Sequence, residues 1–345
     1  MHISEFSYEL PDELIAQEPL ADRDASRMLV VDRQNKGWTD SAFTSLPTFL
    51  RKGDLLVLNN TRVFPARLPG RREGSGGQVE VLLVREVEPL VWEALIRPGH
   101  RLKAGAAIIF GDTRVRAEVL DNPGNEIRQL RFDRVESLQQ SLDALGQMPL
   151  PPYIRRPEGG FVEDRTRYQT VFACERGAIA APTAGLHFTS SMLEVLRELG
   201  VEIVEITLHV GYGTFEPVRV EEIEDHEVRD ESFEISPRAA STINEKRQAG
   251  GRLVAVGTTT TRALESAADS SGVINATKGR ASLTIKPGYS FRAVDSLLTN
   301  FHLPRSSLLL LVSAFAGRDL VLNAYRHAVE ARYRFYSYGD CMLII

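Results

Sequence analysis

The run Gly177-Ala178-Ile179-Ala180-Ala181-Pro182-Thr183-Ala184-Gly185-Leu186-His187-Phe188-Thr189 decides how the rest of the chain is read. It places small residues where an ordinary core strand carries bulk. Residues 178–181 suit a strand under close packing, and Pro182 ends its hydrogen-bonded ladder. Gly185 permits a turn closed to other residues, or the near approach of a ligand. His187 follows at the turn, and Thr189 is placed to cap a helix reaching about residue 199, with Gly200 as its stop. A strand, a tight turn and a helix N-terminus make one junction of an α/β sheet, where polar ligands are commonly held. The same spacing fits a tightly packed junction with a surface histidine and no ligand.

Beyond this junction the α/β texture continues. A strand is expected over 201–210, a helix from Ser236-Pro237 to Gly250-Gly251, a strand over 253–257, an apolar element over 307–315 and a helix over 319–332. Before it, 4–18 suit a short helix, and apolar strands are expected over 28–32 and 55–58. Strands alternating with helices predict an α/β domain with a mixed, largely parallel sheet and flanking helices. From 63 to 132 the texture changes to short strands, at 79–85, 91–97, 106–110, 113–119 and 126–132, separated by turns such as Gly74-Ser75-Gly76-Gly77 and Asp121-Asn122-Pro123-Gly124. Repeated short strands without long helices predict a small all-β barrel or sandwich. A helix over 136–146 and the proline-stiffened 148–157 lead back. The expected organisation is a discontinuous α/β domain, 1–62 plus 148–345, with a β-barrel domain, 63–147, inserted.

A length of 345 residues with 25% charged and 43% hydrophobic residues is ordinary globular composition. Two cysteines, Cys174 and Cys341, are too few for a disulfide framework, and the start of the chain lacks a basic, apolar leader. These features predict a cytoplasmic protein. The apolar 307–315 is too short to span a bilayer, so no membrane partner is expected. The net charge of −5 hides an asymmetry: residues 201–234 hold eleven acids against Arg219 and Arg229. The remainder is basic, which leaves room for a face that binds phosphate.

Several loop clusters carry polar chemistry at strand ends or helix starts. Arg23, Asp24 and Arg27 crowd beside the strand over 28–32, as a salt-bridged turn or a ligand clamp. Asn59-Asn60-Thr61-Arg62 lies just past the strand over 55–58. Tyr168, just after Arg165 and Arg167, suits stacking on a base, or a helix face. His209-Val210-Gly211-Tyr212-Gly213-Thr214-Phe215-Glu216 offers an imidazole, glycines and a carboxylate. Thr258, Thr259 and Arg262 stand at a helix start without the glycine pattern of a dinucleotide or phosphate loop. No histidine, cysteine or carboxylate set has metal-ligand spacing, so acid-base work or ligand hydrogen bonding is the expected use of the histidines.

Taken in order, Arg23-Asp24-Ala25-Ser26-Arg27, Asn59-Asn60-Thr61-Arg62-Val63-Phe64-Pro65-Ala66-Arg67, Arg97-Pro98-Gly99, Pro149-Leu150-Pro151-Pro152-Tyr153-Ile154, Tyr168-Gln169-Thr170-Val171, the 180–189 run, Thr207-Leu208-His209-Val210-Gly211-Tyr212-Gly213-Thr214-Phe215, Thr299-Asn300-Phe301-His302-Leu303-Pro304 and Tyr333-Arg334-Phe335-Tyr336-Ser337-Tyr338-Gly339-Asp340 form a specific set. On these runs the chain resembles the S-adenosylmethionine:tRNA ribosyltransferase-isomerases of queuosine biosynthesis over nearly its whole length. The resemblance implies an α/β domain with an inserted barrel, and transfer of ribosyl from S-adenosylmethionine to 7-aminomethyl-7-deazaguanine at the tRNA wobble position. Epoxyqueuosine-tRNA, adenine and methionine would result. S-adenosylmethionine is then a consumed co-substrate, with no metal or other cofactor, and a monomer is expected. It further suggests His187 or His209 as base or acid, Asp24 and Glu216 as alternates, and Arg23, Arg27, Arg62, Tyr168, Thr183, Gly185, Gly213, Thr258, Thr259, Arg262, Asn300 and His302 as substrate contacts. One position departs: where the resemblance leads us to expect His-x-Met-His-x-Glu, this chain has His226-Glu227-Val228-Arg229-Asp230-Glu231. Arginine does not exchange protons near neutral pH, so either that position is not the base or the chemistry has diverged; the intact remaining motifs favour the first. The alternatives are a catalytically silent tRNA-binding relative and a methyltransferase; the missing glycine-rich loop after a first strand argues against the latter.

Overall fold

The structure, a computed structural model of the chain, describes residues 1–99, 102–111, 115–120, 127–133, 138–157, 160–215 and 218–345. Its centre is a nine-stranded sheet. In spatial order the strands are Thr277–Ala281, Glu231–Ile235, Glu202–Leu208, Leu55–Asn59, Leu253–Val256, Ser296–Asn300, Cys341–Ile344, Arg27–Asp32 and Gly37–Ala42. From Glu202–Leu208 to Ser296–Asn300 the pairs are all parallel; Cys341–Ile344 runs antiparallel to Ser296–Asn300 and parallel to Arg27–Asp32. Both edges close with antiparallel pairs.

The central strands are apolar runs because both faces are covered. Along Leu55–Asn59, Leu55 and Val57 join one core while Leu56 and Leu58 join the other, the two-residue period of a pleated strand. On the first face the helices Thr258–Ala267, Ser307–Ala316 and Arg318–Glu330 supply Leu264, Leu309 and Tyr325. On the second, Ser190–Glu198 supplies Met192, Leu193 and Leu196. Caps fall where the sequence puts them: Thr189 Oγ1 accepts from the Met192 N–H at 3.1 Å, Ser236 Oγ from Ala239 at 3.2 Å and Ser306 Oγ from Leu309 at 3.2 Å. Gly200 takes φ +87°, as a helix stop requires.

The second unit is a closed six-stranded antiparallel barrel of Arg67–Arg72, Gln78–Glu88, Val91–Arg97, Ala107–Phe110, Val115–Val119 and Ile127–Phe132, filled by its own core of Leu68, Val81, Ile96, Phe110, Leu130 and Phe132. The barrel alternative is therefore the one realised, with no open edge between its first and last strands. Its entry and exit lie side by side: the Arg67 N–H donates to the Gln147 carbonyl at 3.2 Å and the Gln147 N–H to the Arg67 carbonyl at 2.8 Å.

Four expectations change. The N-terminal helix is two 3-10 turns, Ile3–Phe6 and Asp12–Leu14. The strand of the central run is Glu175–Ala178, paired with Thr61–Val63, and 179–182 continue as buried non-strand backbone. Arg67–Arg72, with Pro69, Gly70 and three arginines, is a strand that the pattern did not announce; Gly70 is needed because a Cβ there would stand 2.8 Å from Ile108 Cγ2. The helix expected over 136–146 is Leu138–Leu145, and the expected 113–114, 121–126 and 136–137 segments lie outside the described residues.

Candidate functional site

The parallel strands aim their carboxyl ends at one edge of the sheet, and the loaded loops of the sequence all leave from there. Asn59 to Thr61 follow one strand, His209 a second, Gly257 to Thr259 a third and Asn300 to His302 a fourth. This is the edge at which open α/β sheets bind ligands.

Two cavities open along it. The smaller, about 230 Å³, is walled by Ala181 to Ala184, Thr258 and Thr259, Asn300 to Ser306, Tyr153 and Tyr336. The larger, about 690 Å³, lies between sheet and barrel and takes His209 to Gly213 and Arg176 on one side, Phe64, Trp92 and Arg128 on the other. Val210 lines both, and a minor pocket of Gly213, Arg229, Thr259 and Leu308 bridges them.

In the smaller pocket the helix Thr258–Ala267 begins after Gly257, at φ +94°, and Gly257 to Thr259, the start of the helix with its unpaired first N–H groups, form part of the wall. Asn300 is fixed from below: its Nδ2 donates to the Tyr336 carbonyl at 2.9 Å, while its Oδ1 has no hydrogen-bond partner among the described residues. Tyr336 holds φ +73°, strained for a bulky side chain, and its ring packs against Tyr153 at 4.1 Å between centroids. Tyr153 in turn hydrogen-bonds Ser337 at 2.7 Å. His302 is buried, its Nε2 2.9 Å from Thr299 Oγ1, and burial pushes its pKa down to about 3. His302 thus shapes the wall as a neutral group.

His187 stands behind this pocket, 4% exposed, with Nδ1 2.7 Å from Ser26 Oγ. Its Nε2 meets no partner at hydrogen-bonding geometry, although the Asn300 side chain is near enough to raise its basicity. Burial dominates, with Arg334 and Arg23 acting the same way, and the pKa falls to about 4. His209 is different. It is half-buried in the larger cleft, its Nδ1 2.7 Å from Thr61 Oγ1, and its ring covers Gly177 so closely that a Cβ there would stand 2.7 Å from Nδ1. Burial lowers its pKa, Glu175 pulls it back and Lys278 adds to the lowering.

Thr183, Thr258, Thr259, Asn300 and His302 therefore meet in one pocket, and His209 and Gly213 in the adjoining cleft. Others do not join them. Tyr168 is fully buried, edge-on to Tyr338, and offers no face to a base. Gly185 is confined by Phe172 and Thr170, each 2.8 Å from a Cβ placed there, so it serves packing and not a ligand. Arg262 is spent on buried Glu231 at 2.5 Å and on the Ala281 and Leu283 carbonyls. Arg27 pairs with Asp340 at 3.2 Å and lies over Tyr333. Arg23 ties the Leu186 and Thr166 carbonyls together, and Asp24 accepts from Thr189 at 3.4 Å outside both cavities. Arg62 is exposed on Thr61–Val63. Glu216 lies outside the described residues.

Sequence reasoning missed Ser26, Tyr153, Gly177 and Tyr336. Gly177, a glycine inside a strand, carried a usable signal of close approach; the others lay in the resembling runs without a feature that singled them out.

A model of the family described as queuosine biosynthesis protein matches residues 3–344. The S-adenosylmethionine:tRNA ribosyltransferase-isomerase of Symbiobacterium thermophilum is 51% identical over 345 residues, and that of Caldanaerobacter subterraneus 49% over 347, with 100% of both chains covered in each case. The crystal structure of S-adenosylmethionine tRNA ribosyltransferase from Thermotoga maritima is similar at 36% identity and a TM-score of 0.55, covering 99% of this chain and 100% of that one.

Proposed function

Because the chain belongs to the queuosine biosynthesis protein family, we propose that it is an S-adenosylmethionine:tRNA ribosyltransferase-isomerase. It transfers the ribosyl group of S-adenosylmethionine to the aminomethyl arm of 7-aminomethyl-7-deazaguanine in tRNA and rearranges it to epoxyqueuosine, releasing adenine and methionine. The observation that carries the site reading is convergence: Ala181 to Ala184, Thr258 and Thr259, Asn300 to His302 and Tyr336, far apart in sequence, wall one small pocket that opens toward a cleft of nucleotide size.

In this reading the small pocket holds S-adenosylmethionine. The N–H groups at Thr258 and Thr259 suit its carboxylate or ribose hydroxyls, Asn300 forms part of the wall, and Tyr153 with Tyr336 gives a flat apolar surface. The larger cleft takes the modified base, and the bridge at Val210 lets its amine reach the sugar. The sulfonium acidifies the neighbouring ribose carbon, so the reaction begins with proton removal, adenine then leaves, the amine attacks and epoxide closure expels methionine. His209, largely uncharged near neutral pH and facing the cleft, is the base placed for proton transfer. His187, sealed behind Asn300, positions and does not touch substrate. S-adenosylmethionine is consumed, and none of these steps calls on a further cofactor.

Purified protein incubated with S-adenosylmethionine and tRNA carrying 7-aminomethyl-7-deazaguanine, followed by mass spectrometry, tests this directly. Free adenine, methionine and an epoxide-bearing nucleoside are expected. S-adenosylhomocysteine without adenine would mean methyl transfer, and tRNA binding without product would mean a silent relative.

A further inference from the structure

We propose that Arg62, Arg165 and Arg176 form a phosphate grip at the lip of the large cleft, holding the RNA backbone beside the base that enters it; this rests on the tRNA-modifying function above. Arg62 and Arg176 are register partners on the parallel strands Thr61–Val63 and Glu175–Ala178, and both are exposed. Partners in register present their side chains on the same face, so two like charges stand together, an arrangement that costs stability without a counter-ion. Asp143 answers Arg176, at 2.8 and 3.0 Å. Arg62 makes no side-chain hydrogen bond or ion pair among the described residues.

Arg165 reaches the same spot from another element. Its guanidinium donates to the Asp143 carbonyl at 3.0 Å and the Gly146 carbonyl at 2.6 Å, at the end of the helix Leu138–Leu145. Arg176 thus pairs with the half-exposed Asp143 carboxylate, Arg165 holds the Asp143 backbone, and Arg62 stands in register beside Arg176. The Arg176 guanidinium is further steadied over the Phe64 ring, 5.2 Å from its centroid. Arg176 also lines the large cleft next to Gly177 and His209. The modified base that the cleft takes has to leave its stack to enter it, which leaves the phosphates on either side of it at the rim. Planar guanidinium forks match phosphate oxygens in pairs, and the excess charge here lies where those oxygens pass.

The test is tRNA binding as a function of salt for Arg62→Ala, Arg176→Ala and the double variant, with Arg62→Lys as the charge-preserving control and Arg197→Ala, on the helix Ser190–Glu198, as the control for a surface arginine elsewhere. Each alanine should weaken binding several-fold and flatten the log K against log salt line by roughly 0.7 to 0.9. Arg62→Lys should restore the slope, and KM for S-adenosylmethionine should stay constant. Slopes that match the wild type overturn the grip. Wild-type release of adenine, measured in parallel, separates that result from failure of the functional reading: adenine with unchanged slopes removes only the grip, whereas altered slopes without adenine keep the grip and remove the reaction.

Discussion

His187 Nδ1 lies 2.7 Å from Ser26 Oγ, and this contact ties the central turn to the loop that precedes the strand Arg27–Asp32. In the tautomer whose Nδ1 accepts from Ser26, the ring proton sits on Nε2, on the side of Asn300. The path Ser26, His187, Asn300, Tyr336 carbonyl links four segments of the chain behind one pocket wall.

Acid should expose this arrangement before it damages the rest. In the unfolded chain histidine titrates near 6.5, whereas folded His187 and His302 titrate at about 4 and about 3. The unfolded state binds more protons between these values, so stability falls as pH drops from about 6.5 toward 4. His187 alone should account for about 2 to 3 kcal/mol of that loss by about pH 4.5. Urea midpoints of wild type and His187→Gln between pH 7.5 and 4.5 check it; identical pH slopes would remove His187 from the account.

Asn300 fixes a wall of the small pocket. Asn300→Ala removes one of the two donors to the Tyr336 carbonyl, which keeps the Gly339 N–H at 2.9 Å, at a cost of about 0.5–1.5 kcal/mol. KM for S-adenosylmethionine should rise roughly 2- to 10-fold, following the same energy. Steady-state kinetics with varied S-adenosylmethionine decide the matter, and an unchanged KM would place the co-substrate elsewhere.

Gly177 is the seat of His209. An alanine methyl would occupy space that the imidazole now fills, 2.7 Å from two of its ring atoms, and the ring would have to leave Thr61. Gly177→Ala should therefore lower kcat by roughly tenfold or more while thermal unfolding moves little, since the contact of Gly177 with His209 is at a cavity wall. A kcat equal to wild type would show that the position of His209 is immaterial.

Arg262 and Glu231 form a buried ion pair at 2.5 Å, with Glu231 also accepting from the Gly211 N–H at 2.8 Å. Arg262→Met strands a carboxylate, and denaturation should show a loss of about 3–5 kcal/mol. Arg262→Met combined with Glu231→Gln should recover a good part of it. If the double variant is as unstable as the single, the loss comes from the Ala281 and Leu283 carbonyls instead.

The alternation of strands and helices was legible because each central strand is a short apolar run bounded by glycine or a cap, and the site was legible as a set of polar loops at strand ends. What failed was burial and long-range pairing. Tyr168 after two arginines reads as a stacking platform, yet Tyr338 and Ala181 enclose it, a contact no local period contains. Arg262 reads as a ligand contact at a helix start, and its partner Glu231 is 31 residues away. Gly185 reads as a turn glycine, but its constraint is the Phe172 ring. The strand Arg67–Arg72 was hidden by residues that strands usually avoid, tolerated because a closed barrel needs one close approach at Gly70.

The paired hydrogen bonds between Arg67 and Gln147 make the barrel, topologically, a single loop pinched shut at its neck. Loop-closure cost grows only with the logarithm of length, so exchanging residues 68–146 for a short hairpin would alter it by about 2–3 kcal/mol. No register in the nine-stranded sheet depends on what lies beyond the neck. Evolution can thus lengthen, trim or replace the barrel and re-cut the cleft for a different RNA. The small pocket, walled entirely by segments outside 63–147, passes through such changes untouched.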